Sequence, residues 1–486
     1  PEYLDEQPDR PDGIHVLDGS YVLNAGEFHV NITNHGLVGS QYTQTFPYSS
    51  APSGQWPGGS GDEYLWGAGL WIGGIVRGQI GVTTGQPERE LRPDDGIFDT
   101  IYESKNQAMT RPWPDPEQKG WRIPDWRGDD DRDGLYDEDP MSGYDDDGDG
   151  LVDEDFGHLG DQMFTAHMFD NTPLVQEIYP GHLPLGVRVT QRAATWADDG
   201  LEDVVILEYE ITNVGLQDIH DAYLGFYVDC DIQRRGDRSS QPDDLAGFFD
   251  GPMRGTDGAF HRLQVAWMAD GAKNDPLPGW IGCVLLDHDT DFAQIRAPNT
   301  VEVRGFQIFA TNAAVNQDGE PKSDADRYAL MKQARFDPDR HPSQAADLKF
   351  MISSGPFGTV PQGRTLTYRL ALVMGHGKDD MLAKALRVYQ LQRGREYDVD
   401  WNWTSGQRGR ETMICAGDLP PFSDGSDPMF IYRVDFADES CTGNHPVFGY
   451  PRIGPDHTFV GPDGRKCAWV NADNCDECYR AMGEVC

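Results

Sequence analysis

Basic residues are scarce in this chain of 486 residues, in which 40 lysines and arginines stand against 81 aspartates and glutamates. The formal net charge is −41, and a surface of that sign repels DNA, RNA and anionic lipid. Long apolar runs are also missing, since no stretch of about eighteen apolar residues occurs. We therefore expect neither a nucleic-acid partner nor a membrane span.

Motifs of the common enzyme classes are absent as well. The sequence contains no HExxH, no GxSxG, no Walker A motif and no GxGxxG before a helix. Carboxylates could supply a glycosidase pair, but in so acidic a chain no two stand out. Trp401 and Trp403 alternate as sugar-stacking residues would. An extracellular glycan-binding protein or glycoside hydrolase is therefore the alternative to a non-enzymatic function.

The most informative feature that is present is an internal repeat of aspartates. DDDRDGLYDED (residues 129–139) aligns position for position with DDDGDGLVDED (residues 145–155). Two carboxylates 4 Å apart repel by roughly 4 kcal/mol at an effective dielectric of 20. Calcium, a hard cation with oxygen ligands, relieves such repulsion. The repeat predicts bound Ca²⁺, and the alternative is a solvated acidic loop.

The spacing of each copy matches the first positions of an EF-hand loop, with Gly134 or Gly150 at the turn. The closing glutamate is missing, because Pro140 and Phe156 occupy its position. The copies instead resemble the calcium loops of thrombospondin type 3 and dockerin-like repeats. The predicted ligands are Asp129, Asp131, Asp133, Asp137 and Asp139 in the first copy, and Asp145, Asp147, Asp149, Asp153 and Asp155 in the second.

A second acidic group is predicted where a strand ends. Asp229 and Asp231 close the strand DAYLGFYVD, and Asp243 and Asp244 open the next apolar segment. If the intervening loop folds back, these four carboxylates meet around a further cation. Ordinary turn aspartates are the alternative interpretation.

Period-two alternation predicts the fold class. In VVILEYEIT and TLTYRLALVM the apolar residues share one face of a strand, which is typical of a half-buried antiparallel sheet. Several such segments predict a mainly β chain with an antiparallel β-sandwich body and few short helices. One helix is predicted to begin with Asp379 or Asp380 as N-cap, and another to lie within residues 323–336.

Six of the eight cysteines lie between Cys415 and Cys486, which predicts a disulfide-rich C-terminal region in an oxidising compartment. A zinc site formed by Cys467, Cys475, Cys478 and Cys486 is the alternative. Cys230 and Cys283 either pair across the sandwich or remain buried thiols. The predicted organisation is an N-terminal β-rich part (1–118), the calcium repeat (119–160), the main sandwich with its terminal helix (161–395) and the cysteine-rich region (396–486). The chain begins at Pro1, so we expect a mature product.

Four segments resemble a group of large secreted β-proteins from Gram-negative bacteria that use type IX secretion. They are WPGGSGDEYLWGAGLWIGGIV (56–76), DDDGDGLVDEDFG (145–157), LGVRVTQRAATWA (185–197) and VVILEYEITNVGLQDIHDAYLGFYVDCDI (204–232). The resemblance covers about residues 20–395. It implies a β-sandwich, an extracellular location and an ion site at the strand-end acidic loop.

The leading hypothesis is a secreted, calcium-binding structural or adhesive protein of the cell surface. Its expected partners are further copies of itself, joined through exposed sheet edges into an assembly or filament, or other cell-surface proteins.

Overall fold

The computed structural model describes residues 19–43, 50–93, 101–105, 139–140, 156–157, 162–197, 200–235, 243–255, 260–271, 276–291, 294–311 and 313–392, and six short strands between residues 412 and 470. The chain divides into two compact units. One comprises Pro1–Glu103 with Gly160–Leu386, and the other comprises Ser104–Leu159 with Arg387–Cys486.

The strands are numbered along the chain. The first ten are β1 (Ser20–Leu23), β2 (His29–Thr33), β3 (Gly54–Gln55), β4 (Asp62–Glu63), β5 (Gly67–Val76), β6 (Gln79–Thr84), β7 (Tyr102–Lys105), β8 (Asp139–Pro140), β9 (Phe156–Gly157) and β10 (Gln162–Phe169). The next ten are β11 (Val187–Thr195), β12 (Val204–Asn213), β13 (His220–Asp229), β14 (Gln233–Arg234), β15 (Asp244–Arg254), β16 (Phe260–Asp270), β17 (Gly279–His288), β18 (Gly305–Ala310), β19 (Leu348–Ser354) and β20 (Thr365–His376).

The remaining described elements are short strands and helices. The strands are β21 (Thr412–Cys415), β22 (Asp435–Phe436), β23 (Gly443–Asn444), β24 (Pro451–Ile453), β25 (Phe459–Val460) and β26 (Lys466–Val470). The α-helices are α1 (Pro173–Ile178), α2 (Asp324–Met331) and α3 (Gly377–Gln392), with 3-10 turns at Val315–Gln317 and Pro342–Gln344. Within the described residues, none of these helices combines the length and apolarity that crossing a bilayer requires.

Alternation of apolar and polar residues builds the largest sheet, whose strand order is β15-β16-β17-β20-β12-β11-β10-β7. Along β12, Leu207 and Tyr209 are buried whereas Glu208 is partly exposed on the other face. Glu208 meets Arg192 of β11 at 3.0 Å and Arg369 of β20 at 2.5 Å. The alternation predicted for β12 and β20 is therefore confirmed, and its polar face is held by cross-strand ion pairs.

Two further sheets complete this unit. One has the order β18-β19-β13-β5-β6, and a smaller one has the order β1-β2-β3-β4-β14. The first packs on the eight-stranded sheet through one shared hydrophobic core. Ring contacts link the two sheets, since the centroids of Tyr209 and Phe226 lie 6.2 Å apart and those of Phe248 and Phe306 lie 5.1 Å apart. The chain is thus mainly β, with an antiparallel β-sandwich body as predicted.

Glycine allows close packing in β5. A Cβ on Gly69 would lie 2.6 Å from the backbone nitrogen of Gln86, so only glycine fits there without a shift. At the β5–β6 turn, Arg77 and Gly78 have φ angles of 55° and 74°. Two consecutive positive φ angles give the tight turn that matches strand twist in a hairpin.

One helix start differs from its prediction, whereas another agrees with it. The side chain of Ser323 accepts a hydrogen bond from the Asp326 amide at 3.2 Å and caps α2. The longer helix α3 starts at Gly377, so Asp379 and Asp380 lie in its first turn and neither is the N-cap. Gly377, with a φ of 83°, lets β20 turn directly into the helix.

The second unit contains only short described strands. β8 and β9 pair in parallel, with Asp139, the last residue of the first aspartate-repeat copy, opposite Phe156. β21 and β26 pair antiparallel, and their register places Cys415 opposite Cys467.

Candidate metal centre

The candidate site begins where β13 leaves its sheet. Asp229, the last residue of β13, lies opposite Gly67 of β5 and Lys349 of β19. It is buried, and its carboxylate is 3.2 Å from the ammonium of Lys349. The two side chains meet because directly opposed residues of antiparallel strands share a face of the sheet.

The loop after β13 holds Asp231 in place through its backbone. The hydroxyl of Tyr42 donates a hydrogen bond to the Asp231 carbonyl, and β14 then pairs with β4. Arg235 closes the loop by contacting the buried carboxylate of Glu63 at 3.0 Å. The position of Asp231 is therefore set by neighbours that leave its carboxylate free to bind a ligand.

The third carboxylate comes from a distant part of the sequence. Asp347 precedes β19, whose antiparallel pairing with β13 brings the start of one strand to the end of the other. One oxygen from each of Asp229, Asp231 and Asp347 lies within 4.8 Å of the others. Oxygens 2.3–2.6 Å from a common calcium ion lie within about 5 Å of each other. These three residues, called the acidic cluster below, could therefore hold a metal ion.

The acidic cluster carries more negative than positive charge. Lys349 pairs with Asp229 and, at 3.5 Å, with Glu320, so its single charge is shared. Burial, which Lys349 only partly offsets, together with the neighbouring Asp231 raises the pKa of Asp229 to about 8. Burial and the charge of Asp347 raise the pKa of Asp231 to about 6. Both shifts indicate that a further positive charge would stabilise the ionised carboxylates.

Asp244, the first residue of β15, supplies an independent sign of a missing cation. It is 1% exposed, and its Oδ2 atom has no hydrogen-bond partner, although its Oδ1 accepts weakly from the Ile232 amide at 3.4 Å. Burial raises the pKa of Asp244 well above its usual range, and Asp231 is the charge that adds most to this shift. Unsatisfied buried carboxylate oxygens are rare, and an ion is one of their ordinary explanations.

The structure thus brings together part of the predicted strand-end site. Asp229 and Asp231 join the acidic cluster, Asp244 lies beside Asp231, and Asp243 is more exposed and is influenced by Asp270. The sequence-based prediction missed Asp347. Asp347 lies immediately before β19, a position that becomes informative only when that strand is paired with β13.

The predicted ligands of the aspartate repeat lie outside the described residues, apart from the backbone of Asp139 in β8. These are Asp129, Asp131, Asp133, Asp137, Asp139, Asp145, Asp147, Asp149, Asp153 and Asp155. Calcium binding there stays a prediction.

Thiols take no part in the acidic cluster. Cys230 lies between Asp229 and Asp231 in sequence, but its side chain points into the hydrophobic core. Cys230 and Cys283 are both buried free thiols. Burial raises the pKa of Cys230 well above its usual range, so the thiolate needed for a soft metal is disfavoured. The ligand set of the cluster is oxygen only, which suits hard cations.

Comparison with known proteins adds little. No family model matches the chain, and no curated protein matches its sequence. Among solved structures, an amine oxidase from Aspergillus nidulans matches with 8% identity and a TM-score of 0.25, covering 74% of this chain and 52% of its own. A lysyl oxidase from Pichia pastoris matches with 7% identity and a TM-score of 0.24, covering 74% and 53%. The chain spans about half the length of these structures. Such low scores carry no information on its chemistry.

Proposed function

We propose that this chain is a secreted, calcium-stabilised structural or adhesive protein of the cell surface, with a β-sandwich body. The observation that supports it most is the acidic cluster, in which Asp229, Asp231 and Asp347 converge with one shared lysine between them. A resident cation would bind the end of β13 to the start of β19. Its role is to hold the fold, which agrees with a protein whose function is mechanical rather than catalytic.

Calcium is the cation that fits this cluster best. Carboxylate oxygens from flexible loop and strand-end positions suit its variable coordination, whereas magnesium requires near-ideal octahedral geometry. A site with three or four carboxylates also provides the charge that calcium sites use to set their affinity. Calcium-dependent folding further agrees with an extracellular location, which the resemblance to type IX-secreted proteins also favours.

A lanthanide and calcium titration tests the proposal. Tyr42 and Trp66 lie 4.9 Å apart beside Asp231, so terbium bound at the cluster should emit when these rings are excited. Calcium should quench that emission by displacement. The double variant Asp231→Asn/Asp347→Asn should lose the emission, whereas Asp218→Asn, an isosteric change at an exposed position, should keep it.

The aspartate repeat needs its own variant because it is a second predicted calcium site. Asp145, Asp147 and Asp149 changed together to Asn should lower the number of calcium ions bound in calorimetry and leave the terbium signal of the cluster in place. A wild-type chain that shows neither sensitised terbium nor a calcium-dependent melting temperature would refute the proposal.

The cysteines of the second unit allow a further test of whether the protein is exported to an oxidising environment. Residues directly opposite in an antiparallel pair have Cα atoms about 4.5–5.5 Å apart, within the range that disulfides span. The register of β21 and β26 therefore favours a disulfide between Cys415 and Cys467. Peptide mapping of the non-reduced native protein should recover this pair. Free thiols at both positions in protein taken from the cell exterior would count against an oxidising environment.

A further inference from the structure

Residues 335–347, called the strap below, cover the outer edges of both sheets of the sandwich. At the five-stranded sheet, the Phe306 amide of β18 donates to the Arg335 carbonyl at 2.8 Å, and the Asp337 amide donates back to the Phe306 carbonyl at 3.0 Å. The Asp337 carboxylate accepts from the Ile308 amide at 2.9 Å. Because β18 is the terminal strand of that sheet, these bonds satisfy groups that an open edge would expose.

The same strap covers the terminal strand of the eight-stranded sheet. The Arg340 amide donates to the Ala246 carbonyl of β15 at 2.8 Å, and the Asp339 carboxylate accepts from the Phe248 amide at 2.9 Å. Closer to the acidic cluster, the amide of Asp244 donates to the carbonyl of Ala346 at 2.9 Å. The strap thus joins the edges of the two sheets along the side of the sandwich where both would otherwise be open.

The strap is held by hydrogen bonds and by ion pairs, of Arg340 with Asp318 at 3.3 Å and of Asp339 with Lys378 at 3.4 Å, and it buries little of its own surface. Residues 338, 339 and 341–344 are exposed, and Phe336 is 42% exposed. Segments with few buried apolar contacts and accessible backbone hydrogen bonds open at low free-energy cost. Their closure therefore depends on how their ends are anchored.

The two ends of the strap are anchored differently. Before it, α2 is fixed by Tyr328 and Met331, which are buried in a cluster with Trp71. After it, Asp347 is a member of the acidic cluster, and its carbonyl accepts from the Thr311 amide at 3.0 Å. Without a cation, Asp347 is repelled by Asp231, so this end is held against electrostatic strain.

We propose that a cation in the acidic cluster locks the strap over β15 and β18, and that loss of the cation frees the strap and uncovers both sheet edges. This inference rests on the proposed function, because it takes the calcium site as given and assigns it a task. When Asp347 binds the cation, its repulsion by the neighbouring carboxylate is replaced by attraction to the cation. The uncovered edges are then the surfaces at which an extended segment can add as a further strand.

Hydrogen exchange measured by mass spectrometry on the full chain tests the proposal. In EDTA, peptides containing Phe248, Phe306 and Ile308 should exchange faster than in millimolar calcium, by about tenfold or more for a locally opening segment. Peptides from β12 and β20, which lie inside the eight-stranded sheet, should exchange equally in both conditions. Equal exchange of the edge peptides with and without calcium would overturn the inference.

Two variants distinguish the contribution of the strap's own contacts from that of the acidic cluster. Asp231→Asn lies outside the strap, so it should give the fast edge exchange even in calcium, while Asp218→Asn should behave as wild type. Asp337→Ala removes a strap contact directly and should give fast exchange at Ile308 in both conditions.

The terbium titration identifies which proposal fails. Terbium bound in the wild type and lost in Asp231→Asn, without any change in edge exchange, would refute the strap lock and leave the calcium site standing. A wild type that shows neither terbium binding nor a calcium-dependent melting temperature would refute both.

Discussion

Two groups of carboxylates in the same compact unit are compensated in opposite ways. In the first, called the paired cluster, Asp170 is fully buried but accepts hydrogen bonds from four donors, Glu88 forms an ion pair with the buried Arg327, and Glu90 lies 3.2 Å from His182. In the acidic cluster, Asp229 forms an ion pair with Lys349, whose charge Glu320 shares, and the carboxylates of Asp231 and Asp347 converge on the same point.

In the paired cluster, groups of the fold itself contact the carboxylates, through four hydrogen-bond donors at Asp170 and through Arg327 at Glu88. A buried carboxylate without a nearby positive charge lowers the stability of the fold. A bound cation removes this cost by neutralising the carboxylate. An acidic cluster alone would be weak support for an ion site, because the chain is acidic everywhere. Because the carboxylates of the paired cluster have partners within the fold, the shortage of positive charge at the acidic cluster favours the proposed cation site there.

The largest expected effect is the loss of the charge at Asp170. Its Oδ2 accepts from the Leu185 amide at 2.7 Å and from the Thr83 hydroxyl at 2.9 Å. Its Oδ1 accepts from the Val187 amide at 2.9 Å and from the Gly186 amide at 3.1 Å. In Asp170→Asn, an NH₂ group must face two of these donors, which should destabilise the fold by about 3–4 kcal/mol. Urea unfolding measures this loss, and a change below about 1 kcal/mol would contradict the assignment.

Arg327→Met should rank second. The Arg327 side chain is 3% exposed, contacts Glu88, and lies with its guanidinium carbon 5.6 Å from the ring centroid of Trp71. Methionine keeps the apolar stem but leaves Glu88 without its cation, at a cost of about 2–3 kcal/mol, because Glu88 is still one-third exposed. Arg254→Met, at a hairpin end, is the comparison variant. Equal unfolding curves for the two would indicate that the ion pair contributes nothing.

How far the sequence alone predicts these features depends on the range of the contacts involved. Strands such as β12 and β20 follow from alternation, which is a local pattern, and so does a strand-end aspartate such as Asp229. The roles of Asp347 and Lys349 depend on β19 pairing with β13, which no local pattern specifies. Asp170 and Arg327 likewise meet their partners only in the folded chain, so no motif marks them.

The third predicted substitution should raise the stability of the fold instead of lowering it. This outcome distinguishes the acidic cluster from the paired cluster. In EDTA, Asp347→Asn should stabilise the sandwich by about 1 kcal/mol, because it removes repulsion with Asp231. In calcium the variant should gain less stability from the ion than the wild type does. Thermal unfolding in both conditions measures the difference, with Asp218→Asn as control. If Asp347→Asn is destabilising in EDTA, its carboxylate is already compensated and the contrast between the clusters fails.

The smallest expected effect concerns pH and the paired cluster. The His182 side chain is buried, and its Nδ1 atom lies 3.2 Å from Glu90. Burial alone would lower the pKa of His182, but Glu90, Asp170 and Asp324 raise it above the ordinary value. A histidine with a raised pKa in the folded state stabilises the fold fully below its unfolded pKa of about 6.5, and this contribution is lost as the pH rises through the folded value.

The stability of the wild type should therefore fall by more than that of His182→Gln as the pH rises from 6 to 9, because the variant side chain cannot be protonated. His220→Gln, at an exposed histidine, should retain the wild-type profile. Urea unfolding across this range in EDTA, where no metal equilibrium contributes, gives the comparison. Parallel profiles for the wild type and His182→Gln would mean that the paired cluster does not hold a protonated histidine, and that Glu90 relies on the Thr84 amide, which donates to it at 2.9 Å.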